Sequence, residues 1–215
     1  MNLRDRRRGI LKAAESSHIL PNEYQEVEWI ESNGGQMINT AVLDTNRANL
    51  PKYQLEADVA IPVANSSSAI IMSKGQQPGC WVGNVMSGTA VGLGSVEGQY
   101  LTGIDITSRN NYKLFWTGSG SDITATVQCG AQTVSKTVAI TIDATSPFTF
   151  FSDAAQDFSA KCRIYRAKVK QNGTDIRDII PCYRKSDSVI GMYDVVNDTF
   201  YTNSGTGTFT KGSDV

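Results

Sequence analysis

A chain of 215 residues, 40% hydrophobic and 19% charged, is long enough for one well-cored domain and too apolar for a disordered one. Its net charge of −1 at pH 7 hides an imbalance, because residues 1–15 carry five basic and two acidic side chains and the remainder 15 basic and 19 acidic. No apolar run reaches the ~18 residues of a transmembrane helix, and four scattered cysteines with a single histidine exclude a zinc cluster.

The chain divides into a basic arm, 1–20, and one domain, 21–215. In the arm Leu3, Ile10, Leu11 and Ala14 share one helical face while Arg4, Arg8 and Lys12 share another. Gly9 weakens such a helix by roughly 1 kcal/mol relative to alanine. A helix this short orders only against a partner, so the arm is predicted to be helical or extended. Its charge is that of a signal peptide but it lacks the apolar core of one, so secretion by the general route is not expected. The stretch SSHILPN (16–22) reads as a linker, with Pro21 stopping any helix.

From Tyr24 onward the pattern is β. In KYQLEADVAIPV (52–63), Tyr53, Leu55, Ala57, Val59, Ile61 and Val63 are predicted to point one way, with Gln54, Glu56 and Asp58 opposite. One dry and one wet face favour an antiparallel sheet. The same alternation occurs in Ile123, Ala125, Val127 and Cys129, and again in Val138, Ile140 and Ile142. In KCRIYRAKVK (161–170) the apolar phase slips from Cys162 and Ile164 to Tyr165, Ala167 and Val169, as a β-bulge would require. NGG (33–35), QNGTD (171–175) and NSGTGT (203–208) supply turns. Many short strands without a long helix indicate an all-β, two-sheet antiparallel sandwich or jelly roll. Cys129 and Cys162 read as small buried hydrophobes, although an even cysteine count leaves a disulfide open.

Two stretches at opposite ends of the domain carry a family pattern: EYQEVEWIESNGGQMINTAV (23–42) and KCRIYRAKVKQNGTDIRDIIPCYRKSDSVIGMYDVVNDTFYTNSGTGTFTKG (161–212). Together they resemble the laminin-G-like or concanavalin A-like lectin domains of phage and prophage proteins of gut bacteria. The resemblance implies a concanavalin A-like jelly roll with first and last strands side by side, no catalysis, and no cofactor. Tyr193, Phe200, Tyr201 and Phe209 are the large groups expected to seal the sandwich edge, with Gly205 and Gly207 permitting turns.

For chemistry, Glu26-Val-Glu28-Trp-Ile-Glu31 approximates the E-x-D-x-x-E pattern of sandwich-fold glycoside hydrolases, in which paired carboxylates act as nucleophile and acid. Glu28 replaces the central aspartate, and residue 31 falls out of phase with 26 and 28 unless a bulge intervenes. The favoured reading is solvent-face glutamates opposite the core residues Val27 and Trp29. His18, the only histidine, lies in the linker, so a serine or cysteine nucleophile lacks its base. The glycines of AVGLGSVEG (90–98) precede no helix and are strand and turn breaks. Asp153 and Asp157 are the weak calcium candidates; no metal site is assigned.

Glycan binding needs aromatic faces and convergent polar groups, and Trp81, Asn84, Tyr100, Asn110 and Tyr112 are its candidates. Trp116, in phase with Leu114, belongs to the core. Arg4, Arg6, Arg7, Arg8, Ile10 and Leu11 are the anchoring candidates, and their apolar stripe favours a protein surface over nucleic acid. The expectation is a non-enzymatic bacteriophage virion protein, as capsid decoration, fibre or tail-associated adhesin. Its arm would dock on other virion proteins and its sandwich would face host or mucosal glycans. No membrane is involved, and a symmetric homo-oligomer is compatible with a particle but is not read from one chain. The rivals are a free bacterial lectin and a glycoside hydrolase using Glu26 and Glu31.

Overall fold

The alternation at 53–60 becomes a strand because each inward side chain finds a partner sheet to pack against. The computed structural model describes residues 20–63, 69–75, 79–85, 88–93, 99–119, 122–139 and 146–215. In chain order the strands are β1 (Tyr24–Glu26), β2 (Ile30–Asn33), β3 (Ile38–Asn39), β4 (Tyr53–Ala60), β5 (Ala69–Lys74), β6 (Gly79–Val85), β7 (Gly88–Leu93) and β8 (Asn110–Ser119). They continue with β9 (Asp122–Cys129), β10 (Gln132–Ala139), β11 (Phe148–Phe150), β12 (Lys161–Gln171), β13 (Thr174–Arg184), β14 (Ile190–Asp194), β15 (Thr199–Thr202) and β16 (Thr210–Lys211). A 3₁₀ turn at Arg47–Lys52, capped by the Asn46 side chain, leads into β4. The arm, with Arg4, Arg6, Arg7, Arg8, Ile10 and Leu11, lies outside the described residues.

The protein is all-β, with two antiparallel sheets around a shared core. The larger runs β10-β9-β8-β4-β12-β13-β14-β15, with β1 beside β13 and β2 between β12 and β16; the smaller runs β3-β11-β5-β6-β7. Leu55, Ala57 and Val59 on β4, Leu114 and Trp116 on β8, and Ile123 and Val127 on β9 are buried inward. Phe148 of the small sheet meets Tyr53 at 4.9 Å and Trp116 at 6.1 Å between ring centroids, joining the layers. Every residue of β5 is buried, so this apolar run is covered on both faces. Ile61 continues the β4 core face, but Val63 does not: the strand ends at Ala60 and Val63 is 56% exposed. All four cysteines are buried and free. Burial pushes the thiols of Cys80 and Cys162 up, and that of Cys182 up to about 12.

The bulge in β12 is real and re-aims one side chain. Ile164 faces Val59 of β4 and Arg166 faces Asp58, so Tyr165 and Arg166 together oppose one residue. Cys162, Ile164, Ala167 and Val169 all stay buried across the slip. Tyr165 is the extra residue, half-buried rather than core as the spacing predicts. At the other end of β12 the hairpin turn places Asn172 at φ 51° and Gly173 at φ 80°, the left-handed pair that matches strand twist.

The two family-like stretches meet as one seam. Thr210 and Lys211 pair with Glu31 and Ile30, and the amides of Glu28 and Gly212 donate to Ser213 and Trp29 at 2.9 Å. The Gln36 carboxamide, 1% exposed, accepts from the Ser32 hydroxyl and the Asn33 and Gly35 amides, and donates to Asn33 Oδ1 and the Thr208 carbonyl. Asn203 reciprocates, accepting from the Met37 and Gly205 amides and donating to the Thr206 and Gly207 carbonyls. Gly207 does adopt a left-handed turn, at φ 70°. Gly205 is required for a different reason than turning: a Cβ there would lie 2.3 Å from the Gly35 carbonyl oxygen. Tyr193 and Phe200 pack on Tyr24 at 4.8 and 4.9 Å, and Phe209 on Phe151 at 5.0 Å, sealing this edge.

Candidate functional site

The outward positions of β8, β4, β12 and β13 line up in rows. Asn111, Asp58 and Arg166 form one row; Lys113, Glu56, Lys168 and Asp178 form the next. Opposite charges therefore fall beside one another across strands, where such pairs stabilise a sheet. Arg166 grips Asp178 with two hydrogen bonds of 2.7 and 2.6 Å, and Lys168 reaches Asp175 at 2.5 Å and Asp178 at 3.3 Å. Lys170 joins Asp175 at 3.1 Å to Glu56 at 3.6 Å. Burial alone would raise the Asp178 carboxyl, but the Arg166 fork and then Lys168 outweigh it and hold it below the usual carboxylate range. Asp175 is lowered in the same way by Lys168 and Lys170.

Hollows lie along this charged face. At one end Arg109, Asn110 and Asn111 line a hollow of about 630 Å³ with Gln128 and Gln132. Asn111 and Arg166 line a smaller one of about 170 Å³. Arg109 and Arg166 then border a groove of about 450 Å³ at the seam, lined by Glu26, Glu28, Trp29 and Tyr165. This groove exists because β12 and β13 part company after Ala167 and Ile179, and Val27 inserts between them by donating its amide to the Pro181 carbonyl at 3.1 Å.

Its rings are held by cations. The Arg163 guanidinium lies 4.1 Å from the Trp29 ring centroid and is itself fixed by Glu31 at 2.8 Å. Arg109 lies 4.7 Å from the Tyr165 centroid and 2.5 Å from Asp58. The Gly212 backbone presses on the indole edge, where a Cβ would come within 2.8 Å of Trp29 Nε1.

The glutamates do not all converge. Glu26 and Glu28 line the groove, whereas Glu31 is occupied by Arg163 and does not line it. Val27 is core at 2% exposed, but Trp29 is not: the outward phase slips between Glu28 and Trp29, so both face the groove. Alternation from Val27 therefore gave the wrong side for Trp29, and only the irregular stretch 27–29 between β1 and β2 shows why.

Of the glycan candidates, Tyr112 is fully buried on the inner face of β8, so its ring cannot serve as a platform. The Asn110 amide is spent on the Asp105 and Ser108 carbonyls, closing the turn before β8, although the residue still borders a hollow. Tyr100 is half-buried beside β7, where it bridges Gly92, and burial raises its phenol. Trp81 and Asn84 lie on β6 in the small sheet, their backbones opposite Ile70 and Thr89. Asn110 and Tyr112 thus belong to the larger sheet, and the backbones of Trp81 and Asn84 to the smaller one. Trp116 is core, as its phase with Leu114 predicts. Asp153 is fully buried and accepts from the Phe158 amide at 3.1 Å, while Asp157 is exposed. Among the described residues no three His, Cys, Asp or Glu gather to hold a metal ion, and no helix is long and apolar enough to cross a membrane.

No protein-family model matches the chain, and no curated protein matches it. Among solved structures it is similar to the full-length tailspike protein 2 of the Escherichia coli O157:H7 bacteriophage CAB120, at 13% sequence identity and a TM-score of 0.42. The likeness covers 81% of this chain and 31% of the tailspike, so the chain spans less than a third of that protein's length.

Proposed function

We propose that the chain is a non-enzymatic bacteriophage virion component, tail-associated or a capsid decoration or fibre. Its concanavalin A-like jelly-roll sandwich would serve adhesion to host or mucosal glycans, and the basic arm would dock on other virion proteins. The observation that carries the adhesive part is the furrow on the larger sheet, where two half-buried rings, Trp29 and Tyr165, flank a groove among charged and amide side chains. The virion assignment is supported by the family-like stretches 23–42 and 161–212, whose motif residues Gln36, Asn203 and Gly205 each have a physical task in the seam.

The test compares the full chain with one carrying serine at Arg4, Arg6, Arg7 and Arg8, each incubated with purified phage capsids and tails. Co-sedimentation of the parent but not the variant is the expected result. Equal binding by both would place the particle contact on the sandwich and refute the arm as anchor. Binding by neither would bring forward the free lectin. Release of reducing sugar from a β-glucan by the parent, lost in Glu28→Gln, would overturn the non-enzymatic reading.

A further inference from the structure

Where β12 and β13 part, the fold leaves several polar groups unspent. Among the described residues the Glu26 and Glu28 carboxylates and the Tyr165 hydroxyl make no hydrogen bond or ion pair. Arg109 spends a single N–H on Asp58 and its side chain is 55% exposed, leaving the rest of the guanidinium fork open. Arg166 differs, since both its prongs are committed to Asp178.

A ligand for this groove must donate to two carboxylates and accept from a guanidinium at once. An anionic sugar would gain from Arg109 and be repelled by Glu26 and Glu28; a cationic ligand would meet the reverse. An uncharged polyhydroxyl ligand has both capacities, because each hydroxyl donates one hydrogen and offers two lone pairs. The apolar face of a sugar ring suits Trp29 and Tyr165. The groove, at about 450 Å³, falls inside the range of about 300–1,000 Å³ usual for ligand clefts. The platform is also set before any ligand arrives. Glu31 holds Arg163, Arg163 covers Trp29, and the Gly212 backbone abuts the indole edge.

We infer that this groove binds a neutral glycan, with Glu26 and Glu28 accepting from its hydroxyls, Arg109 donating to its oxygens, and Trp29 and Tyr165 supplying the stacking surface. The inference rests on the adhesive reading above and adds to it the site and the ligand class. Glu31 is a positioning residue, acting through Arg163 on the indole.

The test is affinity electrophoresis of the full chain through gels holding mixed-linkage β-glucan, galactomannan or dextran as neutral probes, polygalacturonate as the anionic probe and chitosan as the cationic one. Retardation by at least one neutral polymer is expected. Glu28→Gln and Trp29→Ala should each weaken it by about tenfold or more, the loss of one hydrogen bond to a charged group or one stacking contact. Glu31→Gln should weaken it less and blunt the quenching of Trp29 fluorescence by the polymer. Because Glu28 is exposed, its variant should keep the parent's urea midpoint, separating lost binding from lost fold. Neutral-polymer binding that survives both Glu28→Gln and Trp29→Ala would overturn the site while leaving adhesion standing. Preference for polygalacturonate or chitosan would overturn the ligand class alone. Retention by none of the five polymers would overturn this inference and the adhesive reading together.

Discussion

Asp194 closes β14 and is fully buried, so its removal tests whether the family-like MYD segment is structural. Its carboxylate accepts from the Asp178 and Val196 amides, both at 3.0 Å, and from the Asn197 side-chain amide at 2.9 Å. Arg177 Nε stands 3.4 Å from the other face. Asp194→Ala would strand two backbone donors and leave Arg177, only 19% exposed, without its counter-charge. Breaking a buried pair by deleting one partner costs about 3–5 kcal/mol. For a domain of this size that is a fall of about 6–20 °C in Tm. Asp194→Asn keeps an acceptor for the two amides and should cost about 1–3 kcal/mol. Urea unfolding followed by tryptophan fluorescence measures both. An alanine variant within about 1 kcal/mol of the parent would refute the claim that this carboxylate organises the β14–β15 turn.

Lowered carboxyls at Asp175 and Asp178 contribute stability that is present above their unfolded value of 3.8 and lost as pH falls through their folded values. The urea midpoint should therefore hold steady down to about pH 4 and drop below it, and Asp178→Asn should shrink that acid drop; an unchanged drop would count against the network. Gly191→Ala should cost about 1–3 kcal/mol, because its Cβ would lie 2.2 Å from the Tyr201 carbonyl oxygen on the paired strand. A Tm unchanged to within 1 °C would mean that β14 and β15 can separate without penalty. Four buried free thiols, with burial opposing thiolate formation, should react slowly with Ellman's reagent in the folded chain and all four at once in guanidinium. Rapid labelling of one in native buffer would contradict its burial.

Periodicity made the architecture legible wherever one face of a strand is wet. It located β4, β9 and the slip in β12, because misplacing any of them would leave an apolar row in water. It could say less of β5, where burial on both faces erases alternation, and nothing about which strands would be neighbours. The functional surface was less legible than the core. Tyr112 carries both a ring and a hydroxyl, and nothing in its local sequence separates a core tyrosine from an exposed one; its inward neighbours Leu114 and Trp116 were the available signal. Trp29 and Tyr165 were both expected in the core, and both sit instead at phase slips, one before β2 and one within β12. An irregularity that turns a large ring toward solvent is a local cost that the core does not require. The two slips, rather than the aromatic residues between strands, marked where a surface was being shaped.

The seam has a temporal consequence. Residues 27–31 are made early, but their pairing partners at 161–164 and 210–214 are made late. A nascent chain therefore carries an unzipped first strand, with Val27 and Ile30 uncovered, until the ribosome has nearly finished the domain. Long-range pairing of this kind slows folding and favours escape into aggregates. The closing step should thus wait until residue 214 has emerged, and the groove at Trp29 would come into being only then.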